Sequence, residues 1–182
     1  MRDDIPEGYV RVTDLLKPYS GLSGIDPVVL AKAADRGKRA HTYCELYAQS
    51  LLIEEIDEDC KGFVESFKKW MDVAKPEIIS LEERLYDHDY RLTGAYDMIV
   101  NFPGSTDRVL VDIKTPVQAN ATWPLQTSAY EFMLLKQERP VQRRGCLMID
   151  RNGSVANFKE HTNMEDRAIF IGILRAYRYF NP

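Results

Sequence analysis

At 182 residues and 45% hydrophobic content, the chain has the length for one domain with a real core, which excludes a disordered chain. Its formal charge of -4 speaks against a protein that holds nucleic acid by bulk electrostatics alone, although it leaves room for local basic patches. No apolar run of about 18 residues occurs, and the start MRDDIPEG lacks the basic-then-apolar order of a signal peptide, so a cytoplasmic protein is expected. The three cysteines, Cys44, Cys60 and Cys146, are widely spaced and indicate neither a disulfide framework nor a zinc site; they read as buried free thiols.

In chain order, the first clear helix is DPVVLAKAADRGKRAHTYCELYAQSLL, with Asp26 as N-cap, Pro27 at the first helical position and Gly37 as a point of division into two helices. A further helix, near residues 58–73, places Phe63, Phe67, Trp70 and Met71 on one side and ends at Lys75-Pro76. Strands follow at about 82–86, 91–101 and 108–115, separated by DHD and PGST. A helix over about 124–138 leads to RGCLMID and VANFKEH, which flank Asn152-Gly153, a strong short hairpin signal. The last helix, about 164–180, has Asn163 as its cap and Ile169, Ile173, Leu174 and Tyr177 as its apolar side. With no repeat or low-complexity linker, this order predicts a single α/β domain over 1–182: helices, a three-strand meander, a crossover helix, more strand, and a helix.

The meander carries the chemistry. A turn centred between Gly104 and Ser105 sets Val100 opposite Val109, Ile99 opposite Leu110, and Asp97 opposite Asp112. Like charges that close repel and need compensation. Asp112 and Lys114, two residues apart, share a face while Val109, Val111 and Ile113 point into the core. A hard divalent cation is a natural compensator for such carboxylates, with a lysine beside it to orient a water or stabilise phosphate charge. The bland alternative is a surface pair in which Lys114 merely neutralises Asp112. Roughly 1.5 acid-x-Lys triplets arise by chance in this composition, and a second one, Asp59-Cys60-Lys61, sits outside any strand context.

With Gly94-Ala95-Tyr96-Asp97 as a first acidic motif and Asp112-Ile113-Lys114 as a second, the chain resembles the PD-(D/E)XK nuclease superfamily. GKRAHTYCE (37–45) resembles the upstream helix motif of the RecB-type and lambda-exonuclease-like branch, and LQTSAY (125–130) its Gln-x-x-x-Tyr motif. The four pieces occur in family order over about half the chain. The resemblance implies a restriction-endonuclease-like core, a mixed central sheet of antiparallel meander plus crossover helix flanked by helices. It implies one or two Mg²⁺ or Mn²⁺ ions held by His41, Asp97, Asp112 and the backbone carbonyl of Ile113, with Lys114 positioning the attacking water. Gln126 and Tyr130, one turn apart on one helix face, are expected to act in catalysis and reach a DNA phosphate. Glu45, one turn from His41, is an accessory candidate, as is Glu82, although Glu83 beside it competes for that place. Lys38, Arg39, Arg143 and Arg144 are expected to guide the DNA strand. They belong to two basic groups, one with Lys32 and Arg36 and one with Arg139, that taken singly read as solvated faces.

The activity so implied is metal-dependent exonucleolytic hydrolysis of DNA ends to a 5′-phosphate and a 3′-hydroxyl, in phage or host recombination and repair, with a single-strand annealing protein as a possible partner. No iron–sulfur cluster is expected, because the four cysteines that mark the cluster-bearing members are absent. No phosphate-binding loop of the GxxxxGK[ST] type is present. Two alternatives stay open: an endonuclease on the same core, and a non-catalytic DNA-binding module that keeps the fold.

Overall fold

The computed structural model describes residues 5–116 and 119–181. Its amino-terminal part holds elements too short for periodicity to reveal: a two-residue strand β1 (Val10–Arg11), a helix α1 (Val12–Leu16) and one 3-10 turn (Lys17–Tyr19). Helix α2 (Pro27–Ala48) begins as its sequence dictates, with the Val28 N–H donating to Asp26 Oδ1 at 2.7 Å and proline in the first turn. It runs unbroken through Gly37, where a division was expected. The glycine serves proximity instead: a Cβ there would lie 3.3 Å from Thr115 Oγ1, at the end of the strand that carries Lys114. Helix α3 (Lys61–Ala74) buries Phe63, Phe67 and Trp70 and closes with Lys75 in the left-handed region, just before Pro76.

The sheet contains β2 (Glu77–Asp87), β3 (Leu92–Asn101), β4 (Arg108–Lys114), β5 (Arg143–Met148) and β6 (Asn157–Glu160) in addition to β1. It is mixed: β2 and β4 run antiparallel to β3, β5 runs parallel to β4, and β6 returns antiparallel to β5. The parallel step from β4 to β5 is made through helix α4 (Trp123–Lys136), and helix α5 (Glu165–Phe180) ends the chain. This is the mixed α/β architecture expected, with β1 and α1 added. Strand β3 is the hub. One of its edges is taken along its length by β2; on the other, β4 pairs only with Met98–Asn101 and β1 pairs with Leu92 and Thr93. Residues 94–97 lie between those two partners.

Two apolar clusters cover the two faces. On one, α1, α4 and α5 pack Leu15, Tyr130, Met133, Phe170 and Leu174 against Leu92, Tyr96, Ile99 and Leu110. On the other, α2 and α3 pack Cys44, Phe63, Phe67 and Trp70 against Met98, Val100, Val109, Val111 and Ile113. In a regular strand Tyr96 and Met98 would share a face; here they lie in opposite clusters, so β3 turns over at Asp97. Strand β2 turns over at the same level, since Leu81 packs on the α3 side and Leu85 on the α4 side. Between them Glu82 has φ 44°, a left-handed conformation that costs a non-glycine residue about 1–3 kcal/mol.

The β5–β6 connection corrects the expected tight turn. Asn152-Gly153 forms a turn, with Gly153 N–H bonded to the Asp150 carbonyl at 3.1 Å, but the ladder closes at Met148 and Asn157 and the intervening loop lies on α3. Lys69 Nζ donates to the Gly153 carbonyl at 2.8 Å and the Asp150 N–H to Ser66 Oγ at 2.9 Å. The approach is so close that a Cβ on Gly62 would fall 1.8 Å from the Arg151 carbonyl oxygen. The expected apolar side of helix α5 largely faces the core: Leu174 is buried beside Phe170, Ile173 and Tyr177 pack against the same cluster, and Ile169 is exposed. Beneath it lies a polar core in which Arg144 donates to Pro124 O, Thr127 Oγ1, Asn163 O and Asp166 Oδ2 and pairs with Glu131. Thr127 Oγ1 in turn meets His161 Nδ1 at 2.9 Å.

Two outcomes follow from this packing. In urea denaturation, Gly62→Ala should cost about 1–3 kcal/mol, because backbone must move, whereas Gly172→Ala, at a mid-helix position with open space around it, should gain about 0.5–1 kcal/mol. His161 supplies the second: burial, then the Arg144 charge, hold its imidazole down to about 4 from the ordinary 6.5. The unfolded chain therefore binds this proton below pH 6.5 and the folded chain only near 4, so the residue's stabilising share is whole above 6.5 and lost as the pH falls toward 4. His161→Gln should flatten the decline of the urea midpoint over that interval; an identical decline in both proteins would remove His161 as its cause.

Candidate active site

The β3–β4 register is the expected one, with Val100 opposite Val109 and Ile99 opposite Leu110, but the ladder stops at Met98 and Val111. Continued regularly it would set Asp97 against Asp112. Instead the Asp97 carboxylate stands in for a backbone carbonyl, and its Oδ2 accepts the N–H of Ile113. A buried donor is thus satisfied by an ionised acceptor, among the stronger kinds of hydrogen bond. The other oxygen, Oδ1, meets Nδ1 of His41 at 3.0 Å, reaching down from α2. Glu82 lies level with Asp97, between the Leu81–Met98 and Glu83–Tyr96 pairs of the β2–β3 ladder. One ligand atom from each of His41, Glu82 and Asp97 lies within 4.8 Å of the others, a group with the spacing to hold a metal ion.

A second group adjoins it. Lys114 Nζ sits 2.6 Å from Asp112 Oδ2 and donates to Gln126 Oε1 at 3.0 Å. Gln126 Nε2 reaches Asp112 Oδ1 at 3.2 Å and the Tyr130 hydroxyl at 3.0 Å. Gln126 and Tyr130 share one face of α4, as their spacing implies, yet Tyr130 is only 2% exposed and sits in the core. It therefore braces Gln126 where contact with a phosphate was expected. Gly94 makes room for it: a Cβ there would lie 2.4 Å from Tyr130 Cε1. Two neighbours were not foreseen. Cys146, paired with Asp112 across the β4–β5 ladder, points its thiol at Asp112 Oδ2 at 3.8 Å, and the Trp123 ring lies 5.9 Å from Lys114 Nζ. Trp123 precedes Gln126 by three residues on the same helix, and that spacing was the available signal.

Charge is divided between the groups. For Asp97 burial opposes ionisation, but the His41 charge and hydrogen bond, Lys114 and the Ile113 N–H together hold its carboxyl below the usual range. For His41 burial opposes protonation and Asp97 outweighs it, so the imidazole is raised. Asp112 goes up, driven by burial and only partly offset by Lys114. Lys114 is raised despite its burial, because Asp112 favours the ammonium. Glu82 keeps solvent-accessible surface, yet desolvation by the protein around it, then the charge of Asp97 and a hydrogen bond with it, push its carboxyl up to about 8.

The remaining candidates scatter. Glu83 turns away to Arg139 and the Tyr96 hydroxyl, so the choice left open between the two glutamates falls on Glu82 as the one beside Asp97. Glu45 lies on the rim, close enough for its charge to act on Glu82, and accepts from Gln49 Nε2 at 2.9 Å. Ile113 meets Asp97 through its N–H. Lys38 is exposed one turn before His41. Arg39 is held by Asp35, Asp57 and Asp59 at 2.6–3.0 Å, which also fills the acidic group around the Asp59-Cys60-Lys61 triplet with a cation of the chain's own. Arg143 is bonded to Glu160 through both carboxylate oxygens. Arg144, expected on a strand-guiding surface, is 6% exposed and committed to the polar core. The three cysteines are buried and unpaired. Among the described residues, no helix is long and apolar enough to cross a membrane.

No family model matches the sequence, and no curated protein sequence matches it. Among solved structures, the fold is similar to the crystal structure of SSO0001, at 12% identity and a TM-score of 0.45, over 96% of this chain and 77% of that one. It is also similar to the crystal structure of an alkaline exonuclease from Laribacter hongkongensis, at 11% identity and a TM-score of 0.44, over 96% of this chain and 92% of that one. At this distance the chemistry has to be read from the side chains themselves.

Proposed function

We propose that this chain is a metal-dependent deoxyribonuclease that hydrolyses phosphodiester bonds at DNA ends. The observation that carries the reading is the meeting of His41, Glu82 and Asp97 within ligand distance of one another, beside an ion-paired Asp112 and Lys114. The donor set suits a hard divalent ion, since it offers carboxylate oxygens and one imidazole and no thiolate. His41, Glu82 and Asp97 would hold it, with Asp112 and the Ile113 carbonyl at its border. Mg²⁺ or Mn²⁺, when bound, supplies Lewis-acid polarisation of a phosphate and a water of lowered pKa.

The protein's own part is positioning. Lys114 is fixed by Asp112 and Gln126 and stays an ammonium, so its role is to orient a water and stabilise phosphate charge; removing a proton from that water is not its task. Gln126 holds the lysine, Tyr130 holds Gln126, and Gly94 admits Tyr130. Of Lys38, Arg39, Arg143 and Arg144, Lys38, exposed beside His41, is the one left as a candidate for contact with a DNA backbone. Action at ends is favoured by the Gln-x-x-x-Tyr helix of the exonuclease branch that the sequence resembles.

The test incubates end-labelled single-stranded, double-stranded and closed circular DNA with Mg²⁺ or Mn²⁺. Linear DNA should be lost, with no loss in EDTA and a rate lower by roughly 10²–10³ in Lys114→Ala. Cleavage that survives either control would refute the assigned chemistry, cutting of the circle would shift the reading to an endonuclease, and bound but uncut DNA would leave a binding module. In calorimetric titrations with Mn²⁺, His41→Ala and Asp97→Asn should each weaken binding about tenfold or more, while Asp57→Asn, in the group closed by Arg39, should leave it unchanged.

A further inference from the structure

Beside the ionic site the surface changes character. A cavity of about 190 Å³ opens next to Gln126, walled by Leu16, Lys17, Leu22, Asn120 and Trp123. Lys17, Ser20 and Leu22 also line a neighbouring trough of about 730 Å³, floored by Pro18, Ile25, Pro27 and Leu30 and edged by Asp14. Apolar side chains are left open to water here: Ile25 is 40% exposed and Leu22 38%. The cavity lined by Gln126 thus shares a wall with a trough whose floor is mostly apolar.

We infer that the cavity receives an unpaired nucleobase next to the scissile phosphate and that the trough carries the bases beyond it. This rests on the phosphodiesterase reading above and narrows it to a substrate with an unpaired end. Continuity identifies the occupant. Gln126 belongs both to the cavity wall and to the lysine site, so a strand that presents a phosphate to Lys114 must lay the adjoining nucleoside alongside Trp123. Indole and aliphatic surfaces offer stacking partners to any base, worth about 1–3 kcal/mol each, whereas bases inside a duplex have their faces covered by their neighbours. Part of the polar wall is already committed: Asn120 donates to the Ser20 carbonyl and accepts from the Thr122 N–H and hydroxyl, and Ser20 Oγ donates to the Lys17 carbonyl. Lys17, exposed at the junction of cavity and trough, is placed for the backbone charge.

Intrinsic fluorescence tests this without turnover. The chain has two tryptophans, and Trp70 lies in the core under α3, so a change in emission on adding DNA reports chiefly on Trp123. With Ca²⁺ in place of Mg²⁺, a single-stranded oligonucleotide should quench the emission, and an abasic strand of equal length and charge, or a blunt duplex, should not. In fluorescence anisotropy of a dye-labelled strand, which does not need the indole as reporter, Trp123→Ala and Leu22→Asp should weaken binding of the normal strand about 5- to 150-fold, the stacking energy expressed as a ratio, while Trp123→Phe should restore it to within a few-fold of the wild type. Equal affinity for normal and abasic strands, or wild-type binding by both weakened variants, would overturn the inference. Base-dependent binding without any cleavage would instead count against the phosphodiesterase reading alone.

Discussion

Everything at the candidate site depends on a carboxylate replacing a carbonyl. When Asp97 accepts the Ile113 N–H, strands β3 and β4 no longer need each other beyond Met98 and Val111, and they part without leaving that donor orphaned in the interior. A neutral side chain of another shape at position 97 would leave that N–H unpaired at a cost of about 1–3 kcal/mol. The parting exposes an edge of β3 that β1 partly covers at Leu92 and Thr93, and the space between admits the Tyr130 ring against Gly94.

The same parting lets helices on opposite faces of the sheet meet. Helix α2 belongs to the α3 side and α4 to the α5 side, and an unbroken sheet would separate them. At the split, His41 comes from one layer to Asp97 and Gln126 from the other to Lys114 and Asp112. The reversal of side-chain facing in β2 and β3 at this level belongs to the same construction, and the strained backbone of Glu82 is its visible cost.

Much of this was legible in the residues. The Pro-Gly turn set the β3–β4 register, Asp26-Pro27 marked the start of α2, and the order of His41, Asp97, Asp112, Lys114 and Gln126 anticipated a cluster that folding does assemble. What failed has a common cause: those features are decided by tertiary partners. Regular alternation would make Asp97 and Asp112 a facing pair, because no local pattern announces a left-handed Glu82. Arg144 reads as one more surface base until Asp166, Glu131 and two carbonyls from distant elements are seen around it. Strand β1 is two residues long and exists only through its partner on β3, and the Asn152-Gly153 turn was displaced from a hairpin tip by a loop that rests on α3.

The internal pairing of charges at the site has a consequence for how such a protein is made and kept. His41 lies against Asp97 and Lys114 against Asp112, so each of these two buried carboxylates has a basic partner of the chain's own. Chains whose fold waits on a structural ion are unfolded without it; here the buried carboxylates of both pairs already find basic partners within the chain, so the core needs no ion to offset them.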